Sequence, residues 1–234
     1  MTYDHVVYEK RGHVAYVTLN RPERMNALDA KSHAELIEVF DDFAADDGAW
    51  VAIVTGAGDR AFCAGNDLKA TADASARGER RVDPGARFGA ITRGYRCPKP
   101  LIAAVNGVAA GGGFEIALAC DIVVAADSAR FGLPEPRVGL IAGAGGIHRL
   151  ARQIPLKQAM GMLLTGRLVP AAEGVRLGFQ CVQPKMVSFQ LRSQVAFKLA
   201  CQIIPYTCIP GIREIIRRDD AIHQSTQRIP VECC

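Results

Sequence analysis

The stretch KPLIAAVNGVAAGGGFEIALACD, Lys99 to Asp121, carries the reading that decides the fold. Leu101 to Val105 is a continuous apolar run, the pattern of a strand buried on both faces of a parallel sheet. Gly111-Gly112-Gly113 follows, then Phe114 to Cys120 with helical composition, and Asp121 to Ala125 returns to strand. Glycine costs backbone entropy, so three in a row are tolerated where the chain must approach something closely or take positive φ. A helix that starts on such a run presents unpaired N–H groups and a partial positive charge, suited to an oxyanion.

Working outward, the same alternation recurs. His5 to Lys10 and His13 to Leu19 flank Arg11-Gly12 as a hairpin. Asp29 is placed to cap a helix whose Leu36, Val39, Phe40 and Phe43 repeat at helical spacing. Val51 to Thr55 is a second buried strand, and Gly143 to Gly146 opens a helical stretch through Arg152. Thr71 to Arg87 is poor in large apolar residues and rich in arginine, and reads as a mobile surface excursion. Strand and helix in turn predict an α/β fold, with no linker before about residue 180 and no solenoid repeat.

Composition excludes several classes. A net charge of +4, without a long basic run or an aromatic stripe, makes no case for nucleic acid. Apolar residues are 49% of the 234, enough for a substantial core, yet no apolar run reaches the ~18 residues of a membrane helix. The eight cysteines form no zinc or disulfide spacing, and Met1 to Lys10 lacks the layout of a signal peptide, so reduced thiols in the cytoplasm are expected.

Two other glycine-rich places follow apolar strands. Gly56-Ala57-Gly58-Asp59-Arg60-Ala61 fits the dinucleotide fingerprint nominally, but Phe62 to Gly65 reads as a short strand and turn where that fingerprint needs a helix. The second is Ala61 to Leu68, AFCAGNDL, which taken alone is a tight turn. Glu115 sits one turn into the helix after the glycine run, amid apolar neighbours, and Glu135 follows Pro134 in a loop. Two carboxylates converging on one pocket can move a proton and activate water, or each can form a structural salt bridge with Arg130 or Arg137.

With NRPERMNAL from Asn20, AFCAGNDLK from Ala61, the Lys99 stretch, FGLPEPRVGLIAGAGGIHRL from Phe131 and LLTGRLVPAAEGVRLG from Leu163, the chain resembles the enoyl-CoA hydratase (crotonase) family over about residues 5 to 178. The resemblance implies a spiral of ββα units in a core of residues 1–178, followed by a short, atypical C-terminal helical segment, 179–234. It also implies homotrimers or pairs of trimers. An acyl-CoA thioester would be the substrate, with no metal or redox cofactor and no membrane or nucleic-acid partner. An oxyanion hole from the N–H groups of Ala64 and Gly112 would hold the thioester oxygen as it becomes an enolate oxygen. Met25, Ala27, Leu28, Gly65, Asn66, Asp67 and Leu68 would line the coenzyme A site. In the hydratase branch Glu115 would activate water, Glu135 would protonate Cα, and the Gly143 backbone would position the water.

The chain departs from the family pattern in places. Ala142 replaces a usual proline, His148 stands where glutamine is common, and after Gly178 the pattern fades into Gln180-Cys181-Val182-Gln183. His148 reads as a surface or packing residue. Leu191, Val195 and Leu199 leave a helical stripe in need of an apolar partner. The expected activity is enoyl-CoA hydration. The rivals are carnitinyl-CoA dehydration, enoyl-CoA isomerisation and a non-catalytic CoA-thioester binder.

Overall fold

The structure, a computed structural model, describes residues 2–78 and 87–180. The expectations placed on 179–234, the Leu191–Val195–Leu199 stripe among them, fall almost wholly outside the described residues.

The chain opens with the expected hairpin. β1 (Val6–Arg11) and β2 (Val14–Leu19) pair antiparallel from Val6–Leu19 to Arg11–Val14, around a Gly12 whose φ of 56° few other residues adopt. α1 (Ala30–Ala45) is capped by Asp29, whose side chain accepts from the Ser32 N–H, and it buries Leu36, Val39, Phe40 and Phe43. Three ββα units then follow in succession. They are β3 (Val51–Gly56), β4 (Ala61–Cys63) and α2 (Leu68–Ala76); β5 (Leu101–Val105), β6 (Val108–Ala110) and α3 (Gly112–Ala119); and β7 (Ile122–Ala125), β8 (Arg130–Gly132) and α4 (Gly146–Gln153). α5 (Leu156–Thr165), β9 (Val169–Pro170) and α6 (Ala171–Leu177) complete the described chain.

The first strand of each unit joins one sheet and the second joins another. The large sheet runs β1-β2-β3-β5-β7 and is parallel from β2 onward; the small sheet runs β4-β6-β8-β9 and is parallel from β4 to β8. Because side chains alternate across a strand, Ala52 and Val54 of β3 enter the main core while Val51 and Ile53 join a second apolar cluster with Val14, Ile102, Ala104 and Val124. Phe114 of α3 meets Phe131 of β8 and Phe179 at ring centroid distances of 5.4 and 5.1 Å, and this aromatic triangle fixes α3 on the small sheet.

One expectation is corrected. Thr71 to Ala76, read as part of a mobile surface excursion, lies at the surface but forms the body of α2, capped by Asp67 through the Ala70 N–H. Its alanines and small polar residues leave no apolar stripe, since the helix buries none of its residues, and so its periodicity was silent. Residues 79–86 of that stretch lie outside the described chain. Among the described residues no helix is long and apolar enough to cross a membrane.

Candidate active site

β4, β6 and β8 are parallel neighbours, so the segments that leave their C-terminal ends emerge side by side. They are the turn 64–67, the start of α3, and Leu133-Pro134-Glu135. Gly111 N–H donates to Gly132 O at 2.9 Å, tying the second segment to the third. Gly65, at φ 93°, packs so closely on the start of α3 that a Cβ there would stand 2.9 Å from Gly112 N. The glycines in both motifs are therefore demanded by close backbone approach.

A fourth segment, 25–28, is bridged to the turn. Leu28 N–H donates to Gly65 O and Asp67 N–H to Leu28 O, both at 2.8 Å. Arg21 braces the junction, donating to Ala27 O at 2.6 Å and to Asp67 Oδ2 at 3.1 Å. The structure thus brings together the two groups expected to line a coenzyme A site. It also restricts what each offers. Asp67 engages one side-chain oxygen with Ala70 N–H and the other with Arg21, and Ala27 and Leu28 are buried, so these three shape the junction from within. Met25 and Asn66 are half-buried, and Ala64 and Leu68 are exposed.

The oxyanion assignment needs correction at one position. Ala64 N–H already donates to Met25 O at 3.0 Å, which removes it as a donor to a ligand. Two residues on, Asn66 N–H has no acceptor among the described residues, and neither has Gly112 N–H at the first position of α3. Asn66 and Gly112 are the free pair. Which amide of the turn is engaged by segment 25–28 depends on tertiary pairing, and no local signal distinguishes 64 from 66.

Glu115 projects from the first turn of α3 and is 3% exposed, with Oε1 accepting the Gly146 N–H at 2.8 Å. Burial pushes its pKa up to about 7, with the Gly146 amide opposing and the Glu135 charge adding to the rise. Glu135 begins a 3-10 turn, Glu135–Val138, with its carboxylate against Gly111. Among the described residues its Oε2 is buried without a hydrogen-bond partner, and burial raises its pKa as well. Among the described residues neither glutamate forms an ion pair, and Arg130 and Arg137 are exposed, so the salt-bridge alternative is not realised.

The loop facing Glu115 is held by arginines. Arg149 donates to Thr92 O at 2.8 Å, and Arg93 donates to the carbonyl of Gly143. The Gly143 carbonyl is thereby engaged, while the Gly146 amide donates to Glu115 and the Ala144 amide also favours its charged form. His148 is exposed, in keeping with a surface role. The thiol of Cys63, at the end of β4, is pushed up to about 12 by burial, which argues against a nucleophilic role. Nothing in the 56–61 turn opens a helix: Asn26 and Asn106 pin it, each donating to Ala61 O, and β4 follows. A surface cavity of about 280 Å³ beside that turn, lined by Pro22, Glu23 and Arg60 among others, holds neither the carboxylates nor the free amides. Among the described residues no three His, Cys, Asp or Glu gather as a metal site.

A buried carboxylate, Glu115, paired with a half-buried one, Glu135, beside free backbone amides fits a proton-moving site better than a dinucleotide-binding or nucleophilic one. The sequence profile of the enoyl-CoA hydratase/isomerase family matches residues 9–203, and the chain belongs to that family. It is 44% identical over 191 residues to an (E)-benzylidenesuccinyl-CoA hydratase of Thauera aromatica, covering 80% of this chain and 73% of that one. A carnitinyl-CoA dehydratase of Citrobacter koseri is 40% identical over 227 residues, covering 96% and 82%. Among solved structures, an enoyl-CoA hydratase from Mycobacterium tuberculosis superposes with a TM-score of 0.77 at 38% identity, covering 97% of this chain and 84% of that one. A carnitinyl-CoA dehydratase from Mycobacterium avium gives 0.75 at 37%, covering 94% and 89%. The fold is the crotonase fold, and the chain is a family enzyme of hydratase/dehydratase type.

Proposed function

We propose that the chain is a reversible 2-enoyl-CoA hydratase acting through an enolate. The observation that carries this reading is the convergence of Glu115 and Glu135, both with raised pKa, beside the free Gly112 amide. The thioester oxygen accepts from the Asn66 and Gly112 N–H groups, donors that lose no energy to reorganisation as negative charge grows on it. Water loses a proton to Glu115 and forms a bond to Cβ. The Cα–Cβ π electrons move onto the carbonyl as an enolate, and Glu135 returns a proton to Cα. One proton enters the carboxylate pair and one leaves it. Hydration by this route calls for no metal or redox cofactor.

The substrate class is supported by relatives named for CoA thioesters. A trimer or pair of trimers in the cytoplasm is part of the same reading. Steady-state loss of the absorbance of the conjugated thioester, over a panel of short enoyl-CoA esters and crotonobetainyl-CoA, tests it. Turnover of a simple enoyl-CoA is expected. Tight binding of the panel without turnover would make the chain a CoA-thioester scaffold, and turnover of crotonobetainyl-CoA alone would make it a carnitinyl-CoA dehydratase.

A further inference from the structure

The turn after β4 carries three amides in a row, and each meets a different fate. Ala64 N–H donates to Met25 O at 3.0 Å. Gly65 N–H donates to the sulfur of Cys63, two residues back, at 3.4 Å. Asn66 N–H has no acceptor among the described residues. A peptide unit is planar and trans, so its N–H and C=O point in opposite directions. Gly65 O accepts from Leu28 N–H at 2.8 Å, so Asn66 N–H, across the same peptide, is aimed away from segment 25–28. The preceding peptide, between Ala64 and Gly65, has its N–H held by the Cys63 sulfur.

That hold matters because little else restrains this peptide. Gly65 has a φ of 93° and no Cβ, so the residue itself does not resist rotation. Sulfur is a weak acceptor, but Gly65 is buried, and a buried N–H without a partner is the costlier alternative. Cys63 is itself immobilised. It is 0% exposed, and a Cβ at Gly113 would stand 2.0 Å from its carbonyl oxygen, so its backbone lies against the start of α3. One residue thus touches both halves of the donor pair: its sulfur grips the turn that ends in Asn66, and its backbone abuts the residue after Gly112.

We propose that Cys63 is a positioning residue for hydration, whose sulfur takes the Gly65 N–H and so leaves Asn66 N–H aimed at the thioester oxygen. The inference rests on the thioester reading above and deepens it. The thiol exchanges no proton with the substrate and acts only through the turn. Without its acceptor the 64–65 peptide rotates to find another, and the neighbouring Asn66 N–H loses its aim. Because a donor of this kind counts most when charge develops on the oxygen, the loss falls on kcat rather than on KM.

The test uses the full chain with Cys63→Ala and Cys63→Val, which lack the acceptor, and Cys63→Ser, whose hydroxyl oxygen supplies one. Butyryl-CoA labelled with ¹³C at the thioester carbonyl is saturated and unreactive, and its carbonyl resonance moves downfield when hydrogen-bonded. The wild type should bind it with a downfield shift. Cys63→Ala and Cys63→Val should bind it with similar Kd but lose part of that shift. In hydration of a short enoyl-CoA they should lose roughly 10-fold in kcat at little-changed KM, less than the loss of a whole donor. Cys63→Ser should restore both readouts, which a purely packing role would not. Circular dichroism checks folding, and amide hydrogen exchange in the unliganded wild type supplies a test that needs no variant: Gly65 should exchange more slowly than Asn66. An unprotected Gly65 amide, a shift untouched in folded Cys63→Ala or Cys63→Val, or a Cys63→Ser as impaired as Cys63→Ala overturns the role of Cys63 and leaves the hydratase reading intact. A wild type that fails to bind butyryl-CoA, or binds it without a shift, overturns the thioester reading, and the role of Cys63 with it.

Discussion

At the scale of single residues the site is a problem of one shared proton. Glu115 and Glu135 are both driven toward the neutral form by burial, and each ionises less readily while the other is charged. Removing the Glu135 charge takes away one cause of the high Glu115 pKa, so in Glu135→Gln the Glu115 carboxyl should titrate below about 7. A ¹³C-carboxyl NMR titration reads this directly, and an unchanged or higher pKa would mean that the two do not interact. Gly112→Pro removes the other ingredient, a donor N–H at the start of α3. A loss on the order of 10²–10³ in kcat is expected, with circular dichroism to show that the helix still forms.

This is also the scale at which the sequence was least complete. Glu115 stood out because a carboxylate in so apolar a stretch demands a reason, and Gly112 because a glycine run opens a helix. Asn66 was seen only as part of the coenzyme A turn, since the pairing of Ala64 N–H with Met25 O arises between segments nearly forty residues apart. The Gly146 amide that holds Glu115 went unread for a similar reason, as position along a glycine loop does not say which amide turns inward.

At the scale of elements, legibility followed periodicity. α1, β3 and β5 carry strong apolar patterns and were readable, whereas α2 is a helix of small residues held by its cap and by Arg21. α3 shows what positions the chemistry. It is nearly all apolar and buried, and Phe114 locks it to β8 through Phe131. Phe114→Ala should cost about 3–5 kcal/mol in stability by urea denaturation. It should also reduce hydration by more than the unfolded fraction accounts for, because Glu115 is the next residue on the same turn. Equal losses of activity and folded fraction would mean that the triangle stabilises α3 without aligning it.

At the scale of the whole molecule, three ββα turns stack so that one sheet provides bulk and the other provides a row of parallel strand ends, where the site gathers. The alternation of strand and helix was readable, but the division of each strand pair between two sheets was not, because β4, β6 and β8 are three residues each and carry no period of their own. Burying a carboxylate has a cost felt by the entire fold. The Glu115 pKa of about 7 lies above its unfolded value of 4.5, so the native state binds the proton more tightly. No penalty exists below pH 4.5, and it grows as pH rises and levels off above pH 7, at about 3 kcal/mol. Glu115→Gln should therefore match the wild type in stability near pH 4 and exceed it at pH 8 to 9. A stability difference independent of pH would contradict the assignment of the raised pKa.

The central claim is that Glu115 and Glu135 act together on one water and one carbon. Hydration kinetics of a short enoyl-CoA with Glu115→Gln, Glu135→Gln and the double variant test it most directly. Each single variant should lose roughly 10²–10⁴-fold in kcat, with modest change in thioester affinity. The double variant should be far less than multiplicatively worse, because removing either member already disables the unit. Full activity in both single variants would contradict the account, and an active Glu115→Gln beside a dead Glu135→Gln would replace it with a one-carboxylate isomerase.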